Sequence, residues 1–456
     1  MKKSRLGFST AQIIAFSFLI TILVGSVLLT LPISAANGQA TNYADALFTS
    51  TSATCVTGLV TVPTFSHWNL FGQIIILILI QCGGLGIVTL TSLAMIFIGK
   101  KLSIKDRLLL QDAFSLDSMN GQIKFVKKVV KGTFFVEGIG AILYTISFIP
   151  KFGFFKGLWA SVFTSISAFC NAGLDIMYED SLVTFAKDPL VNFVTMALIV
   201  LGGIGFVVWW DVARVFQQIQ KKQIRKKHCF LKLTLHSKIV ILTTLMLIIG
   251  GALLIFMFEY NNPKTMGNMN IGQKMMASLF QSVTTRTAGF MTVMQDGLTD
   301  SSALICIVLM FIGGSPVGTA GGIKTATFAA IVIAALTVIN NRQDPSVFKR
   351  RLAHETIQKA LAVMLVSLTM LFISTLLLAT FSGGSILDIL YETTSAIATV
   401  GLSRNLTPTL NLAGKIIITI TMYLGRIGPI TMAIVFGMRI DKNKSLQFPQ
   451  ENIKVG

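Results

Sequence analysis

Four segments of the chain align on a glycine: FTSTSATCVTGL ending in Gly58–Leu59, FTSISAFCNAGL in Gly173–Leu174, LFQSVTTRTAGF in Gly289–Phe290 and YETTSAIATVGL in Gly401–Leu402. The glycines are 115, 116 and 112 residues apart, and Phe48, Phe163, Leu279 and Tyr391 stand ten residues before them. A fixed period of this kind constrains the architecture before any local motif does. A second glycine cluster follows each first one: GGLG at 83–86, GGIG at 202–205, GGSP at 313–316 and GRIG at 425–428. Each repeat is therefore an apolar run, a short Ser/Thr-rich segment, a glycine and another apolar run. The expected units are 1–102, 103–225, 226–345 and 346–456.

The apolar runs are long enough to cross a bilayer, and the whole chain is 53% hydrophobic with 12% charged residues. Eight spans are expected, at 11–32, 70–99, 128–150, 190–211, 238–259, 304–339, 359–381 and 412–437. The net charge of +19 is unevenly placed, since 28 of the 38 Lys and Arg residues fall at the N-terminus, in 100–131, 211–238 and 340–359, and in the C-terminal tail. Such bias marks the cytoplasmic side, which puts both termini inside and the glycine segments outside or re-entrant from outside. It also accounts for the basic charge by topology and attraction to anionic lipid, with no nucleic acid as partner. The first apolar run exceeds a signal-peptide core and is read as a retained span. Five cysteines without CxxC spacing give no disulfide framework or zinc site, and no catalytic constellation is present, so the chain is not read as an enzyme.

The glycine segments are too short to cross a membrane and too polar to lie in lipid. Non-helical backbone survives at membrane depth only inside protein or along a wet cavity, and four copies around one axis supply both. The expected fold is thus all-α, with four span–pore-helix–span repeats in pseudo-fourfold symmetry around one pore. Residues such as 44–54 form a short descending helix with its partial negative end at the centre. The next few residues return outward, their backbone oxygens replacing the water shell of a cation. The residues so placed are Cys55, Val56, Thr57 and Gly58, then Cys170, Asn171, Ala172 and Gly173, then Thr287, Ala288 and Gly289, and finally Thr399, Val400 and Gly401. Asp45 and Asp388, each 13 residues before a glycine, either cap a short helix or attract cations to the mouth.

Arg286 and Glu392 are expected to pair behind these glycines as filter support, because an unpaired charge at such depth is costly. Gly84, Gly203, Gly314 and Arg426 are corresponding positions of the second clusters; three would leave space that the Arg426 guanidinium fills, as a gate or as a link to backbone carbonyls. The sixth span is interrupted by GGSPVGTAGGIKT, so 313–323 is expected to be an intramembrane loop and a gate, formed by Gly313, Gly314, Ser315, Pro316, Gly318, Thr319, Gly321 and Gly322, with Lys324 at its end. Ile323 stands where a phosphate-binding loop needs its last glycine, which argues against nucleotide binding there. Glu137 fits a hydrogen-bonded helix contact or a coupling-ion site, and Asp211 has a weaker claim.

These features resemble the superfamily of potassium transporters that includes the Trk, Ktr and plant HKT proteins, over nearly the whole chain. The most specific matches are the four aligned segments, TTRTAGF, YETTSAIATVGLS and GGSPVGTAGGIKT. The short N-terminus resembles the Ktr-type ion-translocating subunit. The resemblance implies a homodimer in the plasma membrane, one pore per subunit, and a cytosolic ring of nucleotide-binding regulatory subunits, with no cofactor in this chain itself. Glycine at all four filter positions resembles the potassium-selective members, so K⁺ is the expected ion at the residues named above, with possible Na⁺ stimulation. Val317 and Ala320 depart from a loop that commonly has glycine there. A gated, passive potassium pore is the leading expectation. A sodium- or proton-coupled transporter is the alternative, against which four repeats of one orientation argue. A membrane scaffold that has lost transport would not be expected to keep all four glycines.

Overall fold

The computed structural model describes residues 9–97, 108, 110, 122–223, 225–342 and 344–428. Part of segment 100–131, the end of the expected eighth span and the C-terminal tail lie outside the described residues. In chain order the main helices are α1 (Thr10–Thr30), α2 (Tyr43–Cys55), α3 (Leu70–Leu85), α4 (Ile87–Phe97), α5 (Gln122–Phe152), α6 (Phe154–Cys170), α7 (Pro189–Gly203), α8 (Phe206–Gln220), α9 (Leu235–Glu259), α10 (Ile271–Thr284), α11 (Asp300–Phe311), α12 (Thr325–Ile339), α13 (His354–Phe381), α14 (Ile386–Ile397) and α15 (Leu412–Ile427). One small hairpin pairs Ser346–Val347 with Arg350–Arg351.

Among the described residues α1, α5, α9 and α13 are each long and apolar enough to cross a membrane alone. The expected spans 70–99 and 190–211 are not straight. α3 and α4 meet at 96°, and α7 and α8 at 99°. The breaks fall at Gly86 and Gly205, whose φ values of +83° and +91° are accessible to glycine without the steric penalty a side chain carries. The expected interruption of the sixth span is present: α11 ends at Phe311, α12 starts at Thr325, and a bridge between Ile312 and Ile323 draws the ends of the intervening loop together.

The short helices α2, α6, α10 and α14 are buried along most of their length. Asn42 caps α2 through Ala44 N, Asn270 forms a capping box with Gln273, and Ser385 caps α14 through Asp388 N. Asp45 and Asp388 are therefore first-turn residues and not the caps themselves. There they favour the helix dipole and pair with Lys415 (2.6 Å) and Arg404 (2.7 Å).

A recurring lock joins each long helix to its short one. Ser50, Ser165 and Ser282 donate to the carbonyls of Ile22 (2.7 Å), Glu137 (2.6 Å) and Ile248 (2.8 Å). One turn on, Gly25, Gly140 and Gly251 lie so close that an added Cβ would meet those same serine hydroxyls at 2.5, 2.4 and 2.5 Å, with Leu79, Leu198 and Leu309 completing the contact. Small residues permit this approach, and the hydroxyl bond holds it in a membrane where apolar burial alone does not. The fourth repeat uses Thr375 and Thr393, whose hydroxyls are 2.8 Å apart.

This packing predicts a contrast on one helix. Gly140→Ala should destabilise the protein by about 1–3 kcal/mol through overpacking, whereas a Cβ on Gly138 meets nothing within 4 Å and Gly138→Ala should be neutral or slightly stabilising. Thermal denaturation midpoints in detergent check this; equal midpoints for the two variants would refute the lock.

Candidate functional site

Beyond each short helix the backbone follows one pattern. Val56, Asn171, Thr287 and Thr399 are left-handed, with φ of +57°, +59°, +67° and +51°, and the glycines two residues later have φ of +98°, +66°, +80° and +96°. The residues between them, Thr57, Ala172, Ala288 and Val400, are not left-handed. Alternating handedness turns successive peptide planes the same way, with amides on one side and carbonyls on the other. The amides face back onto their own short helix: Thr57 N donates to Ser52 O (2.7 Å), Ala172 N to Ser167 O (2.8 Å), Ala288 N to Thr284 O (2.9 Å) and Val400 N to Ser395 O (2.8 Å). The hydroxyls of Ser52 and Ser395 accept from Gly58 N and Gly401 N, both at 3.0 Å.

The carbonyls face the neighbouring repeat. A Cβ on Gly58 would meet Ala172 O at 2.4 Å, on Gly173 Ala288 O at 2.5 Å, on Gly289 Val400 O at 2.5 Å, and on Gly401 Thr57 O at 2.2 Å. Each repeat leans on the next and the fourth on the first, so the four glycines close a ring. Both the positive φ and the lack of space exclude any side chain there. The hydroxyls of Thr54, Thr57, Thr287 and Thr399 are buried beside this ring without a hydrogen-bond partner among the described residues.

On one side of the ring is a cavity of about 190 Å³ whose lining includes all four glycines with Asp175, Glu179, Asp180 and Asp296, and no Lys or Arg among the described residues. A second cavity, of about 780 Å³, is lined by Gly83, Gly84, Ala398, Arg426 and the loop from Pro316 to Lys324.

The loop touches the second and fourth repeats as well as its own. Its Ser315 N and Thr319 N donate to Gly203 O (2.8 Å) and Gly202 O (3.1 Å), and Thr319 Oγ1 donates to Phe169 O (3.1 Å) at the end of α6. Ser315 Oγ lies 2.9 Å from Thr325 Oγ1, and Lys324 Nζ donates to Ala320 O at 2.7 Å. Gly321 presses on Thr399, whose Oγ1 a Cβ would meet at 2.0 Å, while Gly313 and Gly322 pack against each other. Arg426 donates through Nη1 to Thr319 O (2.7 Å) and through Nη2 to Gly83 O, joining the loop to the first and fourth repeats.

Two expectations need correction. Arg286 and Glu392 do not pair. Arg286, 5% exposed, donates through Nη2 to Gly313 O at 3.0 Å, while Glu392, fully buried, accepts from Ser403 Oγ (2.6 Å) and Thr407 Oγ1. Each charge is met by polar groups of the adjoining chain, the loop for Arg286 and the segment following Gly401 for Glu392. Nor do Gly84 and Gly314 leave open space of their own: an added Cβ would meet Cys170 Sγ at 2.5 Å and Ala320 Cβ at 2.4 Å, whereas Gly203, with Asn171 Nδ2 at 3.4 Å, has room for one. Glu137 accepts from Gln81 Nε2 at 3.2 Å and from the Cys170 thiol at 3.8 Å, which is the helix-contact arrangement. Asp211 accepts from Thr234 N and Oγ1, both at 2.9 Å, and fixes the start of α9.

Sequence reasoning missed the serines that orient the ring, although a Ser six residues before the glycine recurs in three repeats. It also missed the first glycines of three clusters. Gly83, Gly202 and Gly425 pack on the carbonyls of Thr54, Phe169 and Ile397, where a Cβ would approach within 2.0, 1.9 and 2.0 Å.

Residues 4–447 match the family described as TrkH, cation transport protein. The chain belongs to this family. It is 38% identical to Ktr system potassium uptake protein B of Bacillus subtilis over 98% of this chain and 97% of that protein. It is 36% identical to potassium/sodium uptake protein NtpJ of Enterococcus hirae, covering 100% and 99%. The fold is similar to the crystal structure of the potassium transporter TrkH from Vibrio parahaemolyticus, with a TM-score of 0.74 over 96% of this chain and 87% of that one at 14% identity. As a TrkH-family member with several long apolar helices, the chain is a multi-pass plasma-membrane transporter, which is not an enzyme class.

A double-mutant cycle over Arg286→Gln and Glu392→Gln should give stability losses additive within about 0.5 kcal/mol, as for groups that share no partner. A coupling energy well above that, measured by chemical or thermal denaturation in detergent, would reinstate the pair.

Proposed function

We propose that this protein takes up potassium through a gated, channel-like pore whose selectivity filter is the ring at Gly58, Gly173, Gly289 and Gly401. The observation that carries the reading is the closed ring of backbone, with amides turned outward and Thr57, Ala172, Ala288 and Val400 carbonyls turned to the next repeat. Carbonyl dipoles fixed in this way stand in for the hydration shell of a dehydrated cation without presenting a full charge that would hold it. The acidic outer cavity raises local cation concentration before the ring. The potassium uptake named for the Bacillus relative supports the choice of ion.

On this reading the repeats are the four units expected from the sequence, with eight spans and both termini cytoplasmic. An inside-negative potential contributes about 2.3 kcal/mol per charge per 100 mV, so passive entry needs no energy source within the chain. The loop 313–323 and Arg426 form the gate below the filter, with Arg286 and Glu392 holding the filter from behind. The Ktr system names of the relatives support a multi-component assembly. We assign to it a homodimer of this chain and a cytosolic ring of nucleotide-binding subunits, with nucleotide on the ring and none here.

The potassium/sodium name of the Enterococcus relative favours a second reading, in which sodium stimulates or accompanies potassium. Flux into liposomes holding this protein, with K⁺ or Na⁺ as the permeant ion, separates the two. Native protein should pass K⁺ well above Na⁺, and Gly58→Ser should lose that preference, because its side chain would strike Ala172 O. Unchanged discrimination in Gly58→Ser would sink the filter assignment; potassium flux that requires sodium would favour the second reading.

The gate has its own test. Arg426→Ala breaks the bonds to Thr319 and Gly83 and should raise potassium flux several-fold at unchanged selectivity. Flux equal to or below native in a folded variant would make Arg426 a helix link alone.

A further inference from the structure

We infer that the corner between α5 and α8 is a binding site for the headgroup of an anionic phospholipid, a role separate from ion translocation. α5 has 31 residues and is about 46 Å long at 1.5 Å per residue, against roughly 30 Å of bilayer hydrocarbon. Its exposed apolar residues begin at Phe134 and Phe135 and continue through Ile139 and Ile142. Immediately before them Lys124, Lys127, Lys128 and Lys131 are all exposed, at i, i+3, i+4 and i+7 on one helix face. The stretch from Lys131 back to Lys124 rises about 10 Å, enough to cross the polar layer of about 5–8 Å on one side of the hydrocarbon. The four ammonium groups thus stand at the level of lipid phosphates.

The neighbouring element is built for the same depth. Trp209 and Trp210, half-buried, lie against Gly132, and the Lys128 ammonium is 5.6 Å from the Trp210 ring centre. Tryptophan is favoured at this boundary because its ring is amphipathic. α8 turns 99° away from α7, so it runs across the direction of the spans, and it exposes Val212 and Phe216 one turn apart. An apolar stripe on a helix lying across the spans fits acyl chains at the interface, with Arg214 and Gln217 exposed beside it. A soluble protein would also answer the positive charge, but it does not account for lysines that stop where the exposed apolar band begins. Lipid meets both halves of the surface, with phosphate on the lysines and acyl chain on Phe134 and Phe216.

Tryptophan fluorescence in vesicles of brominated phosphatidylglycerol or brominated phosphatidylcholine tests the site. Native protein should be quenched more strongly by the anionic lipid at equal mole fraction, and Trp210→Phe should remove part of the contrast. Each Lys→Gln substitution at 124, 127, 128 and 131 should lower the relative association constant of the anionic lipid about fivefold. The four arginine replacements should retain it, and added salt should weaken it. These positions are exposed, and a native denaturation midpoint establishes that each variant is folded. Equal quenching by the two lipids, or a contrast that survives all four Gln substitutions, would overturn the site. So would the absence of any lysine-dependent contrast together with loss of a soluble partner's binding in the same variant, since the surface would then be a protein dock.

Discussion

The contact on which the rest of this structure depends is the approach of backbone to backbone around four glycines. Each glycine has a neighbouring repeat's carbonyl where its own Cβ would be, within 2.2 to 2.5 Å. No packing of side chains gives so short a spacing, and none would bring the backbone of four repeats into mutual contact. The position of each repeat is fixed from both sides. From within, serine hydroxyls and carbonyls of the short helix hold the ring's amides. From behind, Gly83, Gly202 and Gly425 let the second helix of three repeats rest on the last turn of the short one. Burial of polar groups in a membrane protein is costly unless they are bonded, and here the bonding partners are mostly backbone.

Much of this was legible in the sequence because the repeat is written in the one residue type that has no substitute at these positions. A chain that needs positive φ and no Cβ can use glycine only, so Gly58, Gly173, Gly289 and Gly401 stand out without any alignment of relatives. The intramembrane loop was legible for a related reason, since GGSPVGTAGGIKT cannot continue a helix. The bends at Gly86 and Gly205 were not anticipated, because a glycine within a long apolar run reads equally as a packing site. The partners of Arg286 and Glu392 were not legible at all. They are a loop carbonyl and two hydroxyls, and sequence patterns carry no signal for a charge satisfied by backbone. Two buried opposite charges need not pair where a carbonyl and hydroxyls meet each of them separately.

Repeat three departs from the others in a connected way. Its short helix ends at Thr284, five residues before the glycine, where α2 and α6 end three before. Its ring amide bonds four residues back instead of five. Its second-cluster glycine Gly313 faces the loop carbonyl of Gly321, not its own short helix. Arg286, at the position of Cys55 and Cys170, spans the resulting difference by bonding Gly313 O. The loop thus replaces a helix-on-helix contact that the other repeats keep. The segment is held by hydrogen bonds to the second, third and fourth repeats and not by a continuous helix, which on the proposed reading lets it shift without disturbing the ring.

The manner in which buried Arg286 and half-buried Lys324 and Arg426 are held bears on the proposed pore. Arg286, Lys324 and Arg426 all donate to backbone carbonyls, and none forms an ion pair with a carboxylate among the described residues. A carbonyl dipole satisfies a donor but leaves the net charge in place, whereas a carboxylate would cancel it. The cavity on the other side of the ring has the opposite balance, with four carboxylates and no basic residue in its lining among the described residues. A cation would therefore be drawn to the ring from the acidic side and repelled by Arg426 and Lys324 beyond it. On the proposed reading, with the loop in this position, the field and the loop's own backbone oppose passage together. Moving the loop would remove the steric obstacle and, by breaking the Thr319 bond to Arg426, release the guanidinium from the path in the same step.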